Sequence, residues 1–139
     1  MRFLLSCALL AGLAFSTAAS ASPTELFGVW RNPKGSVHLE IRPCAEVACG
    51  YVVWASAEAK ADVRRGSGKE LVGLQLLRDF TPSKSGWRGK VYVPDLNITL
   101  GGTARAIDVD HLEARGCLVT GVICKKQIWT RVTEQAAVR

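Results

Sequence analysis

The chain is poor in the side chains from which most active sites are built. It has two histidines in 139 residues, His38 and His111. The first falls on the polar side of an alternating run and the second beside Asp108 and Asp110 in a turn-like stretch, so both read as surface imidazoles and not as general bases. No Gly-x-Ser-x-Gly elbow is present, which removes the usual strand-to-helix setting of a nucleophilic serine. No Cys-x-x-Cys is present either, which argues against thiol redox chemistry and against a zinc knuckle. Gly66-Ser67-Gly68-Lys69 lacks the spacing and context of a phosphate loop, and Asp108, Asp110 and Glu113 lack the Gly and terminal Glu of a calcium loop. The expectation is therefore a protein that is not an enzyme, with no metal site and no cofactor. Lysines and arginines form no run interleaved with aromatics, so nucleic acid is not an expected partner. Internal repeats and low-complexity tracts are absent, and after residue 21 no stretch is apolar enough to span a membrane.

What is present begins with an address. Arg2 supplies a positive end, residues 3–15 are apolar, and Ala19-Ser20-Ala21 is a small-residue cleavage site, the pattern of a secretory signal peptide over residues 1–21. About 13 apolar residues fall short of the roughly 20 that a spanning helix needs. Leu4-Leu5-Ser6-Cys7 looks like a lipoprotein box but would leave almost no apolar core upstream of the cut, so lipidation is not expected. Cleavage before Ser22 leaves a single domain, residues 22–139, in the periplasm or outside the cell. A domain of this size buries enough surface to need no partner for its core, and a monomer is expected. Loss of Arg2 reduces 18 basic residues to 17 against 12 acidic ones, a net charge of +5. That balance permits attraction to anionic envelope polymers without specifying one.

Cys44, Cys49, Cys117 and Cys124 remain after cleavage, and an even count in a small exported chain reads as two disulfides. Each neighbouring pair flanks a short loop between strand-like runs, so we expect Cys44–Cys49 and Cys117–Cys124 as clasps on hairpin tips.

Alternation is clearest over residues 37–42, where Val37, Leu39 and Ile41 face one way and His38, Glu40 and Arg42 the other. Residues 50–56 are apolar on both faces and predict a strand covered on its outer side. Further runs group Val72, Leu74, Leu76 and Phe80; Trp87, Val91 and Val93; Leu96, Ile98 and Leu100; Leu112, Ala114 and Leu118; and Ile128, Thr130 and Val132. With residues 27–31 these make about eight strands, separated by turns such as Asn32-Pro33-Lys34-Gly35. The fold class predicted is all-β, a single antiparallel up-and-down barrel. Residues 57–69 read as a long, positive surface loop with at most a helical turn at its start, in which Arg64, Arg65 and Lys69 are the cations placed to meet an anionic partner.

Gly28-Val29-Trp30 opens the strand region and Trp129-Thr130-Arg131 ends it. This pairing resembles the structural signature of lipocalins and their calycin relatives, in which an Arg of the last strand lies over the Trp of the first, worth about 1 to 2 kcal/mol when water is excluded. Gly28-x-Trp30, Cys49-Gly50-Tyr51-Val52-Val53-Trp54, Gly86-Trp87-x-Gly89-Lys90-Val91-Tyr92-x-Pro94, Arg115-Gly116-Cys117 and Gln127-x-Trp129-Thr130-Arg131-Val132 together resemble a bacterial exported family, domain of unknown function 2147. The resemblance implies a calycin-like barrel in the envelope and carries over no site residues. An eight-stranded barrel is either filled by its own side chains or holds one small ligand. Tyr51, Trp54, Trp87 and Tyr92 lie in strands and combine apolar area with a polar atom, so they are the candidate ligand-lining residues for a small apolar or amphipathic molecule. The alternative is a structural or interaction module whose basic surface binds an anionic envelope component or a protein.

Overall fold

The computed structural model describes residues 23–118 and 123–133; the leader over residues 1–21 and its cleavage site lie outside the described residues. A short 3-10 helix, Pro23–Leu26, leads into eight strands: β1 Gly28–Arg31, β2 Val37–Cys44, β3 Val47–Ala55, β4 Gln75–Ser83, β5 Gly86–Val93, β6 Ile98–Ala106, β7 His111–Leu118 and β8 Ile123–Arg131. Each pairs antiparallel with its neighbours in sequence, and β8 returns to β1 to close the barrel. Closure rests on two residue pairs, Trp30 with Arg131 and Arg31 with Thr130.

The 3-10 helix shuts one end. Its Leu26 is buried, and the Leu26 carbonyl accepts the indole N–H of Trp30 at 2.9 Å. Trp30 is fully buried, and the Arg131 guanidinium lies 4.1 Å from its ring centroid. The same guanidinium donates to the carbonyls of Phe27 (2.8 Å), Glu25 (2.9 Å) and Val109 (2.5 Å), tying the N-terminal helix and the β6–β7 loop to the last strand. Gly28 makes room for it. Its φ is +131°, which disfavours any side chain, and a Cβ there would overlap the Arg131 Nη1. The Gly-x-Trp spacing is thus a packing requirement of the arginine.

Residues 57–69 are not the loop expected from sequence. Ala57–Ser67 form an α-helix, α1, capped by Ser56, whose hydroxyl accepts the Ala59 N–H. Glu58 in the first turn and Arg64 and Arg65 in the last suit the helix dipole, and Gly68 ends it in the left-handed conformation with its N–H on the Arg64 carbonyl. Val63 and, after the helix, Leu71 are buried in the core, so α1 covers part of the end opposite the 3-10 helix. Arg64 is paired with Glu70 at 2.9 Å and Arg65 with Asp62. Two of the three cations assigned to a free basic loop are therefore paired within their own segment, and the third, Lys69, lies over the Tyr92 ring at 4.6 Å.

Four strand assignments also change. Trp129 pairs with Leu112 and packs against the core, whereas Ile128 pairs with Glu113 on the outer face and is 39% exposed; the inward face of β8 is Gln127, Trp129 and Arg131. The outer side of residues 50–56 is not covered among the described residues, since Val53 and Trp54 are 44% and 45% exposed. Val72 and Leu96 lie outside the strands and are exposed. A register shift in β4 after Arg78, where Asp79 takes a positive φ, brings Leu77 and Phe80 both to the core.

Both expected disulfides are present, Cys44–Cys49 and Cys117–Cys124, with sequence separations of 5 and 7. Loops this short contribute about 2 to 2.5 kcal/mol each in the chain-entropy account. Replacing Cys44 and Cys49 together by Ser should lower unfolding free energy by that amount in a urea titration; no change in the midpoint would show that the tip is ordered without its clasp.

Candidate functional site

The register assigns every inward side chain. Gly89, Gly102 and Gly116 stand side by side on β5, β6 and β7 and face the bore. A Cβ at Gly89 would come 2.5 Å from Phe80 Cδ2, one at Gly102 would overlap Val91 Cγ2, and one at Gly116 would come 2.8 Å from Leu100 Cδ1. The glycine row lets Phe80, Val91 and Leu100 lie flat against the sheet. Phe80 and Val91, with Trp30, Trp87 and Trp129, fill the closed half of the barrel with the protein's own side chains.

The opposite end is different. Helix α1 leaves β3 and reaches the β5–β6 turn, where Gly66 is packed so closely on the Asp95 carbonyl that a Cβ would overlap it. Among the described residues, less covers the mouth above β6, β7 and β8. Leu100, half-buried, shares the inward register there with Leu118 and Ile123, which are 41% and 67% exposed. Lys125 pairs with Gly116, and Gln127 with Ala114, so both belong to this same inward face. Gln127 accepts the indole N–H of Trp129 at 3.0 Å, which ties its carbonyl to the core. Lys125 is exposed and, among the described residues, has no carboxylate within ion-pair distance. Its neighbour Lys126 points outward and meets Glu113 at 3.9 Å. Among the described residues the mouth thus combines an apolar lining with one cation, Lys125, that has no ion pair.

The four aromatics singled out from sequence do not converge here. Trp87 alone is inward, packed against Phe27 with ring centroids 6.2 Å apart, and it belongs to the filled half. Tyr51 pairs with Glu40 on the outer face and carries the Arg42 guanidinium 4.3 Å from its centroid. Trp54 stacks outside on His38 at 4.6 Å; burial, then the charge of Arg31, pushes the His38 pKa down and favours the neutral ring in that stack. Tyr92 shares the face of Arg88 and Lys90 and is buried beneath Lys69 and Arg78 on the outer wall, its hydroxyl donating to Asn97 at 2.9 Å.

A cleft of about 490 Å³ opens beside Arg131 at the closed end, lined by Glu25, Ile107, Asp108, Val109 and Asp110 among others. One of its acidic side chains, Asp108, already serves to hold the β6–β7 turn. Asp108 accepts the N–H groups of Asp110 and His111 at 2.8 Å and contacts the His111 ring at 2.9 Å. Those bonds, the Asp110 N–H foremost, hold the Asp108 carboxyl below its ordinary range. No group of three His, Cys, Asp or Glu side chains among the described residues is arranged to hold a metal ion.

Residues 28–131 match the bacterial family described as "Uncharacterized protein conserved in bacteria (DUF2147)". The chain belongs to that family. Protein HP1028 from the human pathogen Helicobacter pylori, described as belonging to the lipocalin family, has a similar solved structure: TM-score 0.62 at 17% identity, covering 79% of this chain and 84% of that one. Identity this low speaks to fold, and the shared fold is the lipocalin-like barrel. No curated protein matches the chain. Membership of the family leaves the site to be argued from this chain's own residues, and Lys125 is the one that sequence reasoning passed over.

Proposed function

We propose that the protein is an exported, periplasmic binding protein, not an enzyme, that takes a small amphipathic molecule at the open mouth of its barrel. The observation that carries this reading is the inward register of Lys125 beside Leu100, Leu118 and Ile123. An apolar segment of the ligand lies on the leucine and isoleucine side chains, and an anionic end meets the ammonium. Export is supported by the leader-like residues 1–21 and by two disulfides, which persist in oxidising compartments. No helix among the described residues is long and apolar enough to cross a membrane. The filled closed half limits the ligand to a shallow seat, so affinity is expected to be modest and head-group dependent.

A titration of the mature protein with a dansyl-labelled medium-chain carboxylate and with the corresponding neutral alcohol tests this reading. Lys125→Glu should weaken carboxylate binding about tenfold, equivalent to about 1.4 kcal/mol from a lost ion pair and a new repulsion. Alcohol binding should change less than about twofold. Failure of the wild-type protein to bind either probe would end the proposal, and equal losses for both would remove Lys125 from it.

A further inference from the structure

The outer wall formed by β4 to β8 carries a second, independent feature. Arg88, Thr103, Arg115 and Lys126 stand in one row, each directly opposite the next across β5, β6, β7 and β8. Arg78 and Lys90 are likewise opposed across β4 and β5. Sheets normally place opposite charges in such positions, because like charges directly across from each other are destabilising. Here two directly opposed pairs, Arg78 with Lys90 and Arg115 with Lys126, are both cationic. Among the described residues Glu113 is the one carboxylate ion-paired on this wall, at 3.3 Å from Arg105 and 3.9 Å from Lys126. Among the described residues Arg78, Arg88, Lys90 and Arg115 have no ion-pair partner, although Asp79 is exposed at the β4 bulge. The Arg78 Nε is buried without a hydrogen-bond partner. Arg42, Arg64 and Arg65 are paired within their own segments, with Glu40, Glu70 and Asp62, whereas Arg31, Lys34, Lys60, Lys69, Lys84 and Lys125 have no ion pair among the described residues but are not opposed to another cation in the sheet. What sets this wall apart is that its cations stand directly opposite one another across neighbouring strands.

We propose that this wall binds a linear polyanion, a flexible chain carrying repeated phosphate, sulfate or carboxylate groups. The row spans three strand spacings, about 14 Å along the sheet, and bends with the barrel. A flexible chain can follow that arc and present an anion to each guanidinium in turn, with the hydroxyl-bearing Thr81 and Thr103 flanking Arg88. A flat bilayer would meet the convex wall along one line only. The row itself contains no exposed apolar side chain to insert into lipid: Ile128 stands at its edge beside Glu113, and Leu118, Ile123, Ile107 and Val109 lie at the ends of the barrel. Guanidinium groups suit such a ligand because their planar fork pairs two oxygens of one anion. The inference does not depend on the mouth or on its ligand.

The experiment measures binding of the mature protein to heparin oligosaccharides and to inorganic polyphosphate at low and moderate salt, with phosphatidylglycerol vesicles as a separate arm. Wild-type protein should bind the polymers in a salt-sensitive manner. Arg88→Gln with Arg115→Gln should lose about tenfold or more at low salt. Arg64→Gln with Arg65→Gln removes the same formal charge from residues already paired, and should lose less than about twofold. These variants change exposed side chains, and circular dichroism checks that each is folded. Equal losses in the two double variants would mean that net charge and not this wall is responsible. Binding to vesicles without binding to polymers, or no salt-sensitive binding at all, would overturn the proposal.

Discussion

Trp30→Ala should destabilise the protein by about 3 to 5 kcal/mol, the range for removing a fully buried large aromatic when the surroundings cannot collapse into the void. The surroundings here are poorly placed to collapse. The indole donates to the Leu26 carbonyl, so its loss leaves that acceptor unpartnered at the buried seam between the 3-10 helix and β1. It also removes the face on which the Arg131 guanidinium rests at 4.1 Å. Among the described residues the β1–β8 ladder has two residue pairs, one of them Trp30 with Arg131, and one further backbone bond from the Val132 N–H to the Val29 carbonyl, so the short ladder compensates little for the missing side chain. Urea denaturation followed through the remaining tryptophans measures the effect. A loss below about 1 kcal/mol would mean that this residue does not plug the barrel.

Much of the barrel is legible because its strands obey period two where one face is wet. Residues 37–42 form the first six positions of β2 with Leu39 and Ile41 buried and Arg42 exposed, as their alternation requires. The cysteine pairs mark two hairpin tips. Helix α1 is hidden because Gly66 and Ser67 have the character of breakers. The structure gives Gly66 another meaning: it is glycine because the Asp95 carbonyl occupies the space of a Cβ, a tertiary contact that no local pattern encodes. The Ser56 cap and the charge order from Glu58 to Arg65 are the signals present. In β8 the isoleucines Ile123 and Ile128 are an odd number of residues apart and cannot share a face. Arg131 decides between them, since an arginine lying over Trp30 commits Trp129, Gln127 and Lys125 to the inward face by alternation.

That same step exposes the mouth cation. Lys125-Lys126 looks like a solvated pair, yet adjacent strand residues point to opposite sides, so one of the two has to face in. The aromatic criterion fails for a physical reason. Tyr51 and Tyr92 are amphipathic enough to pack under arginine and lysine stems on the outer wall. In β3, a register shift opposite His38 and Leu39 sends both Val53 and Trp54 outward. Polar-tipped aromatics in strands therefore mark the barrel's outside as often as its bore, and the glycines beneath Phe80, Val91 and Leu100 are the better guide to how far the bore is filled.

Arg131→Met should cost about 3 kcal/mol, although the side chain is only half-buried. Its methionine replacement keeps apolar contact with Trp30 but loses a cation–π interaction of about 1 to 2 kcal/mol. It also loses charge-assisted donors to three carbonyls, those of Phe27, Glu25 and Val109. Such bonds are worth about 1.5 to 3 kcal/mol each when buried, but exposed carbonyls recover water, so their sum is much smaller here. Arg131→Lys should rescue little, because one ammonium cannot reach three acceptors that a planar fork reaches from different edges. The two variants separate charge from geometry. Hydrogen exchange should then report faster exchange at residues 25–29 and 109–111 in both variants, with the middle of β5 and β6 unchanged, because the lost contacts join the chain ends and the β6–β7 loop to the closing strand. Full stability in Arg131→Lys would mean that positive charge alone, and not the fork across three carbonyls, holds the closed end.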